Sequence, residues 1–257
     1  MTVTPVDLGS THLHGSKSGG VLKVVIDRPE RRNAMTVEMY HGVKKAAVLA
    51  EKDPDVEVLL ITAEGEFFCV GGEMGGKHEG GQPFDRETDG LDLTPFVQLE
   101  RCPKIIVVGI NGMCQGGGLV ITMMSDVSIV SDRARFRVPE LLRGVADCYY
   151  GARLATRVGM ARAKYLLFTA SYFSAQEAAD MGLVSRVVPH AELEEAVAET
   201  IDLIKQTAPR ARTLLKRDLN RQLPRIDHEM FAESLRGEEV AEGFAAFVAK
   251  RPPSWVR

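Results

Sequence analysis

Two glycine-rich stretches constrain this chain more than any other feature: Cys69-Val70-Gly71-Gly72-Glu73 and Gly112-Met113-Cys114-Gln115-Gly116-Gly117-Gly118. Each follows a compact apolar run that reads as a buried strand. Glycine lets the backbone turn tightly there, and a ligand can approach main chain that carries no Cβ. Two main-chain N–H groups, one from each loop, are what a carbonyl oxygen needs if it becomes an anion during a reaction. Taken alone, a glycine triplet equally well marks close packing of a helix on a strand.

The 257 residues are enough to bury a sizeable core in one large domain, or in one domain with an appendage. Hydrophobic content of 45% and a formal net charge of −3 describe an ordinary globular surface. That charge gives no electrostatic case for nucleic acid or an anionic membrane as a partner. The start of the chain lacks the basic and apolar segments of a signal peptide, and apolar runs such as residues 105–110 are too short to span a bilayer. Cys69, Cys102, Cys114 and Cys148 form no CxxC pair, so reduced core thiols in a cytoplasmic protein are expected. His12 and His14 have no third ligand nearby in sequence, so no metal site is expected.

The chain divides into a loose, flexible, polar and Gly/Ser-rich arm over residues 1–19, a core over 20–190, and a charged helical region, expected to serve oligomerisation, over 191–257. Residues 21–26 read as a strand, followed by a turn punctuated by Pro29. Thr36 is a plausible N-cap, with Glu38 in the favourable first turn. Met39, Val43, Ala47 and Ala50 fall near one face of the helix that follows. Strands are expected over residues 56–63 and 104–110, each delivering a glycine loop, then a helix over 118–124 and a strand over 126–130. Residues 75–92 read as a surface loop, either a lid or a tolerated insertion. Ser174 and Glu177 form a capping box, and Gly182 closes that helix. Residues 228–250 carry an amphipathic pattern that suits packing on the domain or on a neighbouring subunit. Alternating strands and helices argue for an α/β architecture with buried sheets.

Several motifs, in order and spacing, resemble one known family. They are residues 25–34 (Val-Ile-Asp-Arg-Pro-Glu-Arg-Arg-Asn-Ala), residues 68–74 (Phe-Cys-Val-Gly-Gly-Glu-Met), residues 111–118, Pro139-Glu140-Leu141-Leu142 with Gly144, and Ser174-Ala175-Gln176-Glu177-Ala178 with Gly182-Leu183-Val184. The chain is identified as a member of the crotonase superfamily, the enoyl-CoA hydratase/isomerase family, from about residue 20 onward. The resemblance implies a spiral of ββα units with a C-terminal helical region, assembled as a homotrimer or a dimer of trimers. It implies an acyl-CoA thioester as substrate, with coenzyme A as part of that substrate and no separate cofactor. By motif, the oxyanion amides fall on Val70 and Gly117, and the acid/base on Glu140. Arg31, Arg32 and Ala34, with Gly72 and Met74, match the stretch that lies against coenzyme A. Lys250 matches a residue that reaches a neighbour's coenzyme A phosphate.

The sequence departs from the family's hydration pattern at one position. Members that add water carry a first glutamate three residues after the middle glycine of the triplet, and here that residue is Val120. Valine neither holds nor activates water. One carboxylate suffices to move a proton between two carbons, so a double-bond shift carried by Glu140 is favoured. Asp147 is a candidate second acid, although a surface aspartate in a loop reads the same way. Val120, Cys148, Tyr149 and Tyr150 are expected to border the acyl pocket; local sequence gives Cys148 no histidine partner that would make it a nucleophile. The alternatives are a hydratase with a non-standard second acid, or a protein that binds acyl-CoA without turning it over. A peptidase or thioesterase on this fold would want a nucleophile elbow, and no GxSxG is present.

Overall fold

A computed structural model describes residues 2–73, 79 and 94–257. Met74, and the loop expected over 75–92 apart from Glu79, lie outside the described residues. Strands β1 (Thr4–Val6), β2 (Leu13–Ser18) and β3 (Val21–Ile26) precede helix α1 (Val37–Lys52). Then come β4 (Val58–Ala63), β5 (Phe67–Cys69), α2 (Phe96–Arg101), β6 (Ile105–Ile110), β7 (Met113–Gln115) and α3 (Gly117–Met124). After β8 (Val127–Ser131) and β9 (Arg135–Arg137), a 3-10 turn over Glu140–Arg143 leads into α4 (Cys148–Val158) and α5 (Met160–Thr169). The core ends with β10 (Phe173–Ser174), α6 (Ala175–Asp180) and β11 (Arg186–Val188). Helices α7 (Leu193–Lys205), α8 (Pro209–Arg221), α9 (His228–Arg236) and α10 (Glu238–Val248) complete the chain.

Two sheets organise these elements. The larger runs β1-β2-β3-β4-β6-β8-β11 and the smaller β10-β9-β7-β5. Consecutive strands of one repeat therefore go to different sheets: β4 then β5, β6 then β7, β8 then β9. This is the ββα spiral that the resemblance implied. From β3 through β11 the large sheet is parallel, and such strands are buried on both faces. Side-chain alternation splits them cleanly. Leu59, Ile61, Ile106 and Val108 enter the main core with α1 and α3. Val58, Leu60, Val107 and Ile129 face the other way, onto Leu193, Val197 and Ile201 of α7.

Local signals explain the helix ends. Thr36 Oγ1 accepts from Met39 N–H at the start of α1, and Met39, Val43, Ala47 and Ala50 are all buried. Ser174 and Glu177 form the expected reciprocal cap of α6, with Gly182 at φ +79° just beyond.

Two expectations need correction. The arm over residues 1–19 is not loose: β1 and β2 extend the large sheet, pairing β2 with β3 over six residues. Polar, Gly/Ser-rich composition hid these strands, because a sheet edge takes its stability from main-chain bonds rather than from an apolar face. The glycine turns also do not follow their apolar strands directly: three-residue β5 stands before Gly71, and three-residue β7, inside the second stretch, stands before Gly116. Each is too short to show a period of two.

The amphipathic stretch over 228–250 is two helices, broken at Gly237, and it packs on its own domain. A Cβ on Gly144 would fall about as close as 2.5 Å to the Glu239 main chain, and a Cβ on Gly243 equally close to Arg143. The tail thus braces the turn that carries Glu140. A second tie is charged. The Lys216 ammonium on α8 donates to Asp126 Oδ2 at 2.6 Å and to Lys104 O at 2.9 Å, while Ile106 N–H donates to the same Asp126 oxygen at 2.7 Å. Burial raises the Asp126 pKa, against the pull of Lys216. Removing the cation leaves that carboxylate shielded and unpaired, so Lys216→Ala should lower the unfolding free energy by about 3–5 kcal/mol. Urea denaturation measures this; an unchanged midpoint would show that α8 adds nothing to the core.

Candidate active site

The two glycine loops meet because side-chain amides fix the turn before β5. Buried Asn33 donates through Nδ2 to Glu64 O (2.9 Å) and Phe67 O (2.6 Å), while its Oδ1 accepts from Arg28 N–H. Asn33 itself sits at φ +57°, in the left-handed region that asparagine tolerates. Asn111 Nδ2 donates to Gly65 O at 2.6 Å from the β6 side. A Cβ on Gly112 would overlap Glu66 O, and one on Gly118 would lie 2.6 Å from Cys69 Cβ. Only glycine permits this approach of backbone to backbone.

The first loop is pinned along one edge. Met35 N–H donates to Gly71 O (2.8 Å) and Glu73 N–H donates to Met35 O (2.9 Å), a parallel bridge centred on Gly72. In such a bridge the central residue turns its own N–H to the opposite edge. Gly71 N–H is taken by Cys69 Sγ at 3.4 Å, so of the two glycine amides here that of Gly72 is the one without an acceptor among the described residues. Arg28 holds the same loop from outside, through Glu73 Oε2 at 2.9 Å and Ala34 O at 3.0 Å.

The second loop turns at Gly116, with φ +55° and ψ −136°, a conformation open only to glycine. Tyr150 Oη donates to Gly116 O at 2.8 Å and fixes the peptide. Gly117 is the first residue of α3, so its N–H has no acceptor within the helix and sits at the positive end of the dipole. Gly71 touches this corner: a Cβ there would be 3.4 Å from Gly117 N and from Gly116 Cα.

Glu140 points at the same corner. Its Oε1 is 3.4 Å from where a Gly116 Cβ would stand, and its Oε2 is shielded without a hydrogen-bond partner among the described residues. The residue as a whole is half-buried, but the carboxyl end faces inward. Burial raises its pKa well above the usual range, and the nearby Asp147 carboxylate raises it further. Its own N–H and Arg143 oppose this weakly. Asp147 is not a free surface aspartate. It caps α4, with Oδ1 accepting from Tyr149 N–H (2.7 Å) and Tyr150 N–H (3.3 Å). Burial raises its pKa to about 6 despite those two bonds.

The other expected residues scatter more widely. Val70 is half-buried, and its carbonyl accepts from Gln115 Nε2 at 3.3 Å. Val120 is fully buried within α3 and offers no polar atom. Cys148 does have a histidine nearby: Sγ lies 3.9 Å from His228 Nδ1 on α9, a contact across 80 residues that local sequence could not reveal. Burial nevertheless pushes the thiol to about 12, so no thiolate is available near neutral pH. Arg31, Arg32 and Lys250 are exposed, and Ala34 is half-buried next to the bridge. Tyr40 and Asn33 also stand against these loops, and neither has a role of its own in the sequence reading; a polar residue within an apolar helical stripe is the one signal for Tyr40.

Two outcomes follow from this geometry. Gly116→Ala forces a side chain into a glycine-only conformation, 3.0 Å from Gly71 Cα, and should cost about 1–3 kcal/mol of stability while displacing the Gly117 amide. Thermal unfolding reads the first effect and turnover the second. Glu140 and Asp147 both hold protons more tightly folded than unfolded, so the folded state binds more protons and stability falls as pH rises through their folded pKa values. Glu140→Gln should therefore raise the unfolding midpoint at pH 7.5, with the gain shrinking below about pH 5. A gain that is the same at both pH values would show that Glu140 does not titrate in this way.

The family model described as Enoyl-CoA hydratase/isomerase matches residues 16–257. A carnitinyl-CoA dehydratase from Proteus mirabilis is 31% identical over 260 residues, covering 96% of this chain and 98% of that protein. A short-chain-enoyl-CoA hydratase from Clostridium acetobutylicum is 32% identical over 244 residues, covering 91% and 94%. Among solved structures, an enoyl-CoA hydratase/isomerase from Pseudoalteromonas atlantica superposes with a TM-score of 0.83 at 28% identity, over 95% of this chain and all (100%) of that one. A carnitinyl-CoA hydratase from Mycobacterium avium gives 0.83 at 27% identity, over 96% and 99%. With the ββα spiral and this span of similarity, the chain belongs to the enoyl-CoA hydratase/isomerase family of acyl-CoA enzymes.

Proposed function

We propose that the protein shifts a double bond in an enoyl-CoA thioester, with Glu140 carrying the proton from one carbon to another. The observation behind this is a shielded carboxyl with one oxygen unpartnered among the described residues, beside two glycine loops in contact and with apolar Val120 in place of a second catalytic carboxyl. An α-proton of a thioester is hard to remove because the resulting enolate is poorly stabilised in water. Two fixed donors offset that charge; removal of one such donor typically costs about 3–4 kcal/mol of barrier. We assign these donors to Gly72 and Gly117. Gly72 is preferred to Val70, because the bridge to Met35 turns the Gly72 N–H to the opposite edge of the loop.

The raised pKa suits Glu140 to both halves of the step. As a carboxylate it takes the proton from one carbon, and as a carboxylic acid it returns it to another. Asp147 keeps Oδ1 engaged by two main-chain donors and so serves chiefly to raise the Glu140 pKa. Arg31, Arg32, Ala34 and Met74 are proposed to lie along the coenzyme A portion, with Lys250 reaching that of a neighbour in a trimer. Exposed Leu214, Leu215 and Leu219 on α8 are consistent with such assembly.

A second reading is water addition, with Asp147 as the second acid; its elevated pKa favours it. The names of the two relatives, a dehydratase and a hydratase, point the same way. The test is turnover of 3-enoyl- and 2-enoyl-CoA thioesters by the wild type, Glu140→Gln and Asp147→Asn. A double-bond shift without net hydration, reduced by roughly 100-fold or more in Glu140→Gln and retained in Asp147→Asn, is the expected result. Hydration that disappears in Asp147→Asn would establish the second reading. Tight binding of acyl-CoA with no turnover of either class would leave only a binding protein.

A further inference from the structure

Tyr40 lies on α1, in an otherwise apolar stripe, and is 8% exposed. Its ring is held edge-on by Phe96 at 6.0 Å. The hydroxyl stands against both glycine loops at once. It is 3.5 Å from where a Gly72 Cβ would be, and a Cβ on Gly117 would overlap it. It makes no hydrogen bond to another described residue, and its oxygen is not among the fully shielded unpartnered atoms, so it stays open to solvent or to a ligand that displaces solvent. A phenol held in place by its ring, with its oxygen accessible beside both loops, is free to donate to an acceptor that arrives with a ligand.

We propose that the Tyr40 hydroxyl is a third hydrogen-bond donor to the thioester carbonyl oxygen, beside the Gly72 and Gly117 amides. This rests on the thioester site described above. The two glycines that flank the hydroxyl are the ones assigned above as donors, so an oxygen held by both would lie within the phenol's surroundings. Burial, with Cys69, Glu140 and Asp147 near it, raises the Tyr40 pKa well above its ordinary value, so the group remains a neutral donor throughout the working range. No bond is made or broken at Tyr40. As charge builds on the oxygen the hydrogen bond strengthens, which lowers the barrier more than the ground state.

The probe is 4-(dimethylamino)cinnamoyl-CoA, whose absorption moves to longer wavelength when its carbonyl is polarised. The wild type should shift the band on binding. Tyr40→Phe, which keeps the ring and its packing, should bind the probe with a smaller shift, and should lower kcat by about 100-fold with KM little changed. Replacement of Tyr40 by 3-fluorotyrosine, a stronger donor of nearly the same size, should enlarge the shift and checks the assignment without removing the oxygen. A Tyr40→Phe protein with wild-type kcat and an unaltered band overturns the role of Tyr40 and leaves the site intact. A wild type that binds the probe with no shift at all overturns the thioester site, and Tyr40 with it.

Discussion

Two backbone segments approach each other more closely than any side chain would allow, and the rest of the site depends on that approach. The loop after β5 and the corner between β7 and α3 touch at Gly71 and Gly116, with Gly118 against Cys69 and Gly112 against Glu66. A Cβ at these places meets main chain, which cannot move aside. The contact is held from three directions: by the Asn33 and Asn111 amides, by the Met35 bridge, and by the Tyr150 hydroxyl on Gly116. Because the loops are held by the protein's own bonds, the donors proposed there would need no reorganisation as charge develops on a bound oxygen.

The carboxyl groups follow a different logic. Glu140 has one oxygen without a partner among the described residues, and Asp147 is close enough to disfavour its charge further. Such an arrangement destabilises the folded protein at neutral pH, and burial of this kind is expected where a proton must be both taken and returned. The remainder of the structure is organised to hold it. Helix α10 packs on the turn that carries Glu140, through Gly144 and Gly243, and α8 is tied to the core through Lys216 and Asp126. The C-terminal helices are therefore part of the support of the site, and not an attachment to a finished domain.

Much of the spiral could be read from the chain. The apolar runs of β4 and β6, the α1 stripe with its Thr36 cap, the α6 capping box and the helical tail all stand where local pattern puts them. What failed to register was short or polar: β1 and β2, whose residues have no apolar alternation, and β5 and β7, three residues each. In the candidate site, motif order singled out Glu140 and Gly117, and the structure sets both at the Gly116 corner. The orientation of the Gly72 amide was not legible, since it follows from the bridge to Met35, which joins segments far apart in sequence.

By itself the sequence determined where the backbone is able to bend and which residues are able to carry a proton. Glycine, asparagine and capping residues act through their own covalent geometry, and apolar period acts within one element. The tertiary structure alone decided what faces what. It set Tyr40 against Gly72 and Gly117, Glu140 against Gly116, and Cys148 near a histidine 80 residues away. These pairings depend on how sheets and helices stack, and burial, charge repulsion and hydrogen-bond vacancy arise only when distant segments share one small volume.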